Sequence, residues 1–308
     1  MRIVVVGLGR MGRPIAQRLA GAFEVVGSDA APSRAADARR RGVRVHPGPG
    51  LPSGDVLLTV LPGPIELAAA VGDLDLRRRA GLWIDLTSCD PSTGTELHAG
   101  AGIPSVAAPM LGGPDDATRG TLGFHVGGAA EAVASAQEVL AVLGPRERVR
   151  IVGERPADAY LTKLLGNLLW FGQVIAVTEA LLLARRMGLS AAATADVLAD
   201  GPGASEFLRT AAPTLLDGRT MDHFGLDRIV EELRHLTVLA QREGIPFDLA
   251  TSVTRIHEDA LAEYGPRDGE LLASTLLQRR AGIDFTVRAP HPPAGVSGDP
   301  RGGEPALD

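Results

Sequence analysis

RIVVVGLGRMGRPIAQRLA, residues 2–20, decides the fold. Residues 2–6 are a continuous apolar run, the pattern of a parallel strand buried on both faces. Gly7-Leu8-Gly9-Arg10-Met11-Gly12 follows, and a helical pattern then runs through Ala20. Each glycine of this G-x-G-x-x-G has a physical task. The first permits a tight turn, the second lets the backbone approach a pyrophosphate, and the third lets helix and strand pack closely. The helix N-terminus turns free N–H groups and a partial positive charge toward the phosphates. A glycine-rich turn that binds nothing is the competing reading, and the next segment argues against it. Phe23 to Gly27 reads as a second strand ending in Ser28-Asp29. An acidic residue about 20 positions after the first glycine accepts hydrogen bonds from the adenosine ribose hydroxyls. Gly7, Leu8, Gly9, Arg10, Met11, Gly12 and Asp29 are therefore candidate contacts to a dinucleotide. The Asp29 carboxylate would repel a 2′-phosphate and so favours NAD over NADP; Arg34, close by in sequence, could reach that phosphate and pulls the other way.

Downstream, strands and helices alternate. Residues 43–46 predict a short strand, and 55–61 (DVLLTVL) a buried strand ending at Pro62-Gly63-Pro64. A helix is expected over 65–71, and a strand over 82–86 that ends in Thr87-Ser88. Open parallel sheets bind ligands at their strand ends, so Leu61, Pro62 and Ser88 are further candidate cofactor contacts, with ordinary loop residues as the plain alternative. A strand over 103–107, a loop through 109–114, a loop and strand over 120–128, a helix over 131–143 and a strand over 149–152 complete the pattern. His125 lies inside an apolar run and reads as a core or sheet-face histidine rather than a catalyst.

The second decisive stretch is ADAYLTKLLGNLLWFGQVIAVTEALLLARRMGL, residues 157–189. It predicts one helix of about 30 residues, nearly 50 Å long at 1.5 Å per residue. Being apolar nearly all round, it is expected to be buried on most sides. Lys163, the only lysine in the chain, and Asn167 break that pattern. Four residues apart, they share one face. A buried ammonium is costly without partners or a task, so the pair is expected to face an active site. Gly188 ends the helix and Ser190 caps the next, which runs to about Ala199. Further helical patterns cover 204–216, 226–243, 248–264 and 268–281 without strand signals. The expected fold class is an α/β, Rossmann-type doubly wound sheet over 1–156, followed by an all-α domain over 157–285 built on one long interdomain helix. Residues 286–308, rich in Pro and Gly, are expected to be a disordered tail.

Composition narrows the classes. The chain has 308 residues, 45% hydrophobic and 22% charged, with net charge −6 and no basic run. Nucleic acid and anionic membranes are disfavoured as partners. A single cysteine, Cys89, suits a reducing compartment, and no metal site is indicated. The start MRIVVVGLG shows no secretory signal, so a cytoplasmic location is expected. The most apolar stretch, 164–184, is interrupted by Asn167, Gln173, Thr178 and Glu179, so no clean membrane span is expected.

GLGRMGRPIAQRLA (7–20), VLPGP (60–64), DLTSCDPS (85–92), APMLGGPDDATRGTL (108–122) and the Lys163/Asn167 spacing occur here in one order. In this the chain resembles the β-hydroxyacid dehydrogenase family, relatives of 3-hydroxyisobutyrate and 6-phosphogluconate dehydrogenases, up to about residue 285. The resemblance implies an NAD- or NADP-dependent enzyme acting on a small molecule, assembled as a homodimer or homotetramer through its helical half. Substrate would lie between the nicotinamide and the long helix, with Lys163 as general acid/base. Asn167 would hold the substrate hydroxyl or the lysine. Two departures bear on substrate. Where the family reads D-A-P-V-S-G-G, this chain has Ala107 to Gly113, with Leu111 in place of the serine; Gly112 and Gly113 keep the loop N–H groups. Where the family has a Lys-Asp pair beside cofactor and substrate, this chain has Glu231-Glu232, with His235 on the face of Glu231. An anion at Glu231 would repel a carboxylate, so a substrate other than a standard short 3-hydroxy acid is expected. Imine reduction on a related fold and a catalytically silent nucleotide-binding scaffold are the alternatives. Retention of Lys163 argues against both, while an acidic Glu231 argues mildly for the first.

Overall fold

The computed structural model describes residues 1–48, 50–72, 74–222 and 224–286. Most of the expected tail lies outside them. The first four strands are each followed by a helix. They run β1 (Arg2–Val6), α1 (Gly12–Leu19), β2 (Glu24–Ser28), α2 (Pro32–Arg40), β3 (Val56–Thr59), α3 (Pro64–Val71), β4 (Leu82–Asp85) and α4 (Pro91–Gly100). Then come β5 (Ser105–Ala107), β6 (Met110–Leu111), α5 (Pro114–Arg119), β7 (Gly123–Gly127), α6 (Ala130–Leu143) and β8 (Val149–Gly153). The sheet order is β2-β1-β3-β4-β5-β7-β6, with β8 on β7. β1 to β5 pair in parallel, whereas β7 runs antiparallel to β5 and β6. Ile3 and Val5 enter one apolar cluster, with Ile15, Leu58 and Phe124; Val4 and Val6 enter another, with Leu57, Trp83 and Tyr160. β1 is thus buried on both faces, as its unbroken apolar run requires.

Some local expectations change. Residues 43–46 form no strand; Val45 alone bridges to Gly27. The run is only four residues long, is broken by Arg44 and stops at Pro47, which has no N–H to donate. α2 and α4, which apolar periodicity did not reveal, start with Pro32 and Pro91, and Asp90 caps α4 through the N–H groups of Ser92 and Thr93. The 109–114 loop contains β6.

The all-helical part follows as α7 (Pro156–Arg186), α8 (Ala191–Ala199), α9 (Glu206–Thr210), α10 (Ala212–Leu216), α11 (Leu226–Arg242), α12 (Asp248–Tyr264) and α13 (Leu272–Ala281). Ser190 caps α8 as expected. Packing divides the chain differently from a cut at 156/157. One unit comprises Met1–Leu168 and Glu232–Pro246; the other comprises Leu169–Glu231 and the chain from Phe247. The first three turns of α7, with Lys163 and Asn167, therefore pack with the sheet. In the second unit Phe171, Val174, Leu181, Phe207 and His257 are buried, and Thr178 donates to Ser274 at 2.8 Å.

α7 is one 31-residue helix, but it is not covered on most sides by its own chain. Leu169 is 70% and Leu183 65% exposed. Among the described residues it is also a helix long and apolar enough to cross a membrane, a test that core helices pass too.

Candidate active site and cofactor cradle

The glycine turn has the close packing that its three glycines predict. Gly7 sits at φ +93°, and a Cβ there would meet the Val60 carbonyl oxygen at 2.2 Å. A Cβ on Gly12 would meet the Gly7 carbonyl oxygen at 1.8 Å, which fixes α1 against the turn. At Gly9 a Cβ would meet nothing within 4 Å, so the space through which a pyrophosphate approaches is open. Asp29, at the end of β2, is tied to the turn. Its Oδ2 accepts from the Leu8 N–H at 2.8 Å and its Oδ1 from the Ala31 N–H at 2.8 Å. Each oxygen keeps lone-pair capacity for a ribose hydroxyl. The cradle fits a dinucleotide. Arg10 and Arg34 are exposed, Met11 half-buried, and Pro62 exposed at the end of β3. The Leu61 N–H donates to Thr87 Oγ1 at 3.2 Å, which holds the β3 and β4 ends together beside Ser88.

Lys163 and Asn167 meet as their spacing requires, with Lys163 Nζ donating to Asn167 Oδ1 at 2.7 Å. Asn167 Nδ2 donates to Glu232 Oε2 at 2.6 Å. A carboxylate only accepts, so Glu232 sets the amide orientation and turns Oδ1 toward the lysine. Glu232 is 7% exposed. The acid that reaches the pair is thus Glu232, not Glu231. Glu231 instead takes Arg228 Nη1 at 2.8 Å on its own helix, within the second unit. The uncompensated anion expected at Glu231 is therefore neutralised. His235, half-buried, bears on Asp90: burial raises the Asp90 carboxyl, but Ser92, Thr93 and the charge of His235 together bring it below the usual range.

The glycine loop is also altered. Leu111, on β6, lies against β7, where a Cβ on Gly123 would meet its Cβ at 3.2 Å. Gly112 has φ +116°. The Gly113 N–H does not point to an open anion site; it donates to Asp116 Oδ2 at 2.9 Å. Asp116 Oδ1 takes Thr121 Oγ1 at 2.8 Å and Arg119 Nη2 at 3.2 Å. Burial raises this carboxyl, but those donors outweigh it and hold it below the usual range.

One further feature is unmarked in the sequence. Tyr160, one turn before Lys163, donates to Asp85 Oδ2 at 2.5 Å and meets His98 Nε2 at 2.9 Å. Asp85 also accepts from Thr59 Oγ1 at 2.5 Å, and His98 stacks on Trp83 at 4.2 Å. Burial raises the Asp85 carboxyl and lowers the His98 imidazole to about 3. His125, expected as a core or sheet-face residue, is half-buried on β7; burial, and then the charge of Lys163, lower its imidazole. No group of acidic, histidine or cysteine side chains among the described residues could hold a metal.

Residues 2–153 match the family model described as the NAD-binding domain of 6-phosphogluconate dehydrogenase. Residues 157–276 match the NAD-binding model of NADP-dependent 3-hydroxyisobutyrate dehydrogenase. A protein of Mycobacterium tuberculosis named "Probable 3-hydroxyisobutyrate dehydrogenase" is 33% identical over 68% of this chain and 73% of its own length. The solved M. tuberculosis 3-hydroxyisobutyrate dehydrogenase with L-serine superposes with TM-score 0.80 at 26% identity, covering 89% of this chain and 98% of that one. An imine reductase from a Pseudomonas species is similar in fold alone, with TM-score 0.54 at 17% identity over 89% of this chain and 98% of that one.

Proposed function

We propose a reaction for this chain, which belongs to the β-hydroxyacid dehydrogenase family of NAD(P)-dependent oxidoreductases: it interconverts an alcohol and a carbonyl on a small substrate, with Lys163 as general acid/base. The observation that carries the reading is the Lys163–Asn167–Glu232 chain of hydrogen bonds, in the same packing unit as the glycine cradle. A bound nicotinamide supplies hydride chemistry. In reduction the Lys163 ammonium gives a proton to the carbonyl oxygen; in oxidation the amine takes the alcohol proton. Asn167 holds Nζ in place, and Glu232 holds Asn167. Asp29 supports NAD over NADP. The likeness to imine reductases is one of fold, and the retained lysine supports carbonyl over imine chemistry.

The substrate is proposed not to be a standard 3-hydroxy acid. Leu111 offers no donor, and Asp116 already takes the Gly113 N–H. Glu231 no longer supports this point, since Arg228 neutralises it. The enzyme is further proposed to be a cytoplasmic homo-oligomer.

Lys163→Ala is expected to lower kcat by roughly 10²–10⁴, with the cofactor dissociation constant unchanged. Turnover that persists at the native rate would overturn the assignment. A screen of aldehydes, ketones, hydroxy acids and cyclic imines with NADH and NADPH in parallel reads substrate class and cofactor preference. Efficient, saturable turnover of 3-hydroxyisobutyrate at low concentration would sink the altered-substrate reading.

A further inference from the structure

β7 is a regular strand over Gly123–Val126, and its pairing with β8 shifts register between Val126 and Gly127. Phe124 and Val126 are fully buried in the core on one face, so Gly123, His125 and Gly127 share the other. α7 begins against that second face, since a Cβ on Gly127 would meet the Arg155 carbonyl oxygen at 2.3 Å and the Ala159 Cβ at 3.2 Å. Lys163 lies one turn, about 6 Å, beyond Ala159; His125 lies two strand residues, about 6.6 Å, from Gly127. The two advances match, and the Lys163 charge acting on the His125 imidazole agrees with the two being neighbours. Leu111 pairs in register with Gly123 and is the diagonal neighbour of His125. Leu111, His125 and Lys163 therefore line one patch.

His125 Nδ1 is buried and, among the described residues, has no hydrogen-bond partner. A buried ring nitrogen left without a partner is destabilising unless something else satisfies it. The surroundings say what that partner can be. A carboxylate at the loop would meet the Asp116 anion and find the Gly113 N–H taken. An ammonium would meet Lys163. An uncharged polar group meets neither obstacle. The low basicity of the buried imidazole agrees, because a neutral ring can both donate and accept.

We propose that His125 contacts the substrate, its Nδ1 hydrogen-bonding an uncharged polar group, a hydroxyl or a carboxamide, on the arm of the substrate away from the reacting carbon. His125 thereby takes over the specificity role for which Leu111 has no polar atom. The proposal rests on the reading of Lys163 as the site of reaction.

The test uses one carbon skeleton with four arms, offered to the full-length enzyme with saturating cofactor: 3-hydroxyisobutyrate, its carboxamide 3-hydroxy-2-methylpropanamide, 2-methyl-1,3-propanediol and isobutanol. The amide and the diol are expected to exceed both the acid and isobutanol in kcat/KM. His125→Leu is expected to remove that advantage over isobutanol by raising KM about 10- to 100-fold, with kcat little changed. Isobutanol turnover and the cofactor dissociation constant should stay within about twofold, and His125→Gln should restore part of the loss. Unchanged ratios in His125→Leu overturn the proposal.

A second readout does not depend on turnover. The imidazole ¹⁵N resonances of His125, assigned by their absence in His125→Gln, are followed as 3-hydroxy-2-methylpropanamide is added to NADH-loaded enzyme. A saturable shift supports the contact, and no shift overturns it. A saturable shift, with Lys163→Ala still turning over the amide at the native rate, would leave the His125 contact standing and overturn the role of Lys163 instead.

Discussion

At the scale of single residues, Tyr160 is the least expected member of the site. Its hydroxyl is shared by two buried groups, Asp85 and His98, and its ring fills the space beside Gly94, where a Cβ would meet it at 2.3 Å. Tyr160→Phe keeps the ring and removes the hydroxyl, stranding one acceptor on a fully buried carboxyl. The expected cost is about 2–4 kcal/mol of stability, read as a lowered urea midpoint with unchanged m-value. A change below about 0.5 kcal/mol would show that the hydroxyl contributes little there. This network was not legible in the sequence for a physical reason: Tyr160 and Asp85 are 75 positions apart, and nothing local marks either as the other's partner. Lys163 and Asn167 were legible because helical spacing alone brings them together. Glu232 was half legible. Its neighbour Glu231 drew attention as a charge change, but which of two adjacent acids reaches Asn167 depends on helix rotation, which packing decides. His125 lies half-buried on β7, as a sheet-face residue would, but burial habit does not say which helix lies over its strand.

At the scale of elements, the placement of α7 on β7 governs the site. Gly127 permits it, because a Cβ there runs into backbone, the Arg155 carbonyl, which cannot swing aside. Gly127→Ala should therefore push the start of α7 outward and carry Lys163 with it. Stability should fall by about 1–3 kcal/mol, the usual cost of overpacking. The kcat should fall by roughly tenfold or more, because small misplacements of a reacting group are costly. The dinucleotide cradle lies at the end of β1, so cofactor affinity should stay within about twofold by fluorescence titration. Gly100→Ala, where a Cβ meets nothing within 4 Å, is the control and should change none of these. Equal losses of cofactor affinity and kcat in Gly127→Ala would point to general disruption instead. Elements were read well where one signal dominated: β1, the glycine turn and α7 follow directly from apolar runs and glycine spacing. α2 and α4 are polar enough that only their proline and aspartate starts betray them, and β6 is a two-residue strand that no period can reveal.

At the scale of the whole molecule, α7 leaves its own chain incomplete. Leu165, Leu169, Ala176, Ala180, Leu183 and Met187 are exposed along one stripe of the helix, with Glu179 beside it. The spacings of three, four and seven residues, or their sums, keep them on one face. An apolar stripe of this length on a folded chain marks a surface that another surface covers. The stripe lies along a single helix, which suits a self-complementary contact about a twofold axis. The proposed homo-oligomer follows from this stripe, and so does its test. Sedimentation equilibrium at micromolar concentration should give at least twice the 32.0 kDa chain mass. Leu169→Glu with Leu183→Glu places two like charges at the centre of the contact and should yield a monomer that keeps its helical circular dichroism. Cofactor binding in that monomer should persist, because the glycine cradle lies in the sheet and none of its residues belongs to the stripe. A native chain that sediments as a monomer would remove the oligomer from the reading, while leaving the chemistry assigned to Lys163 untouched.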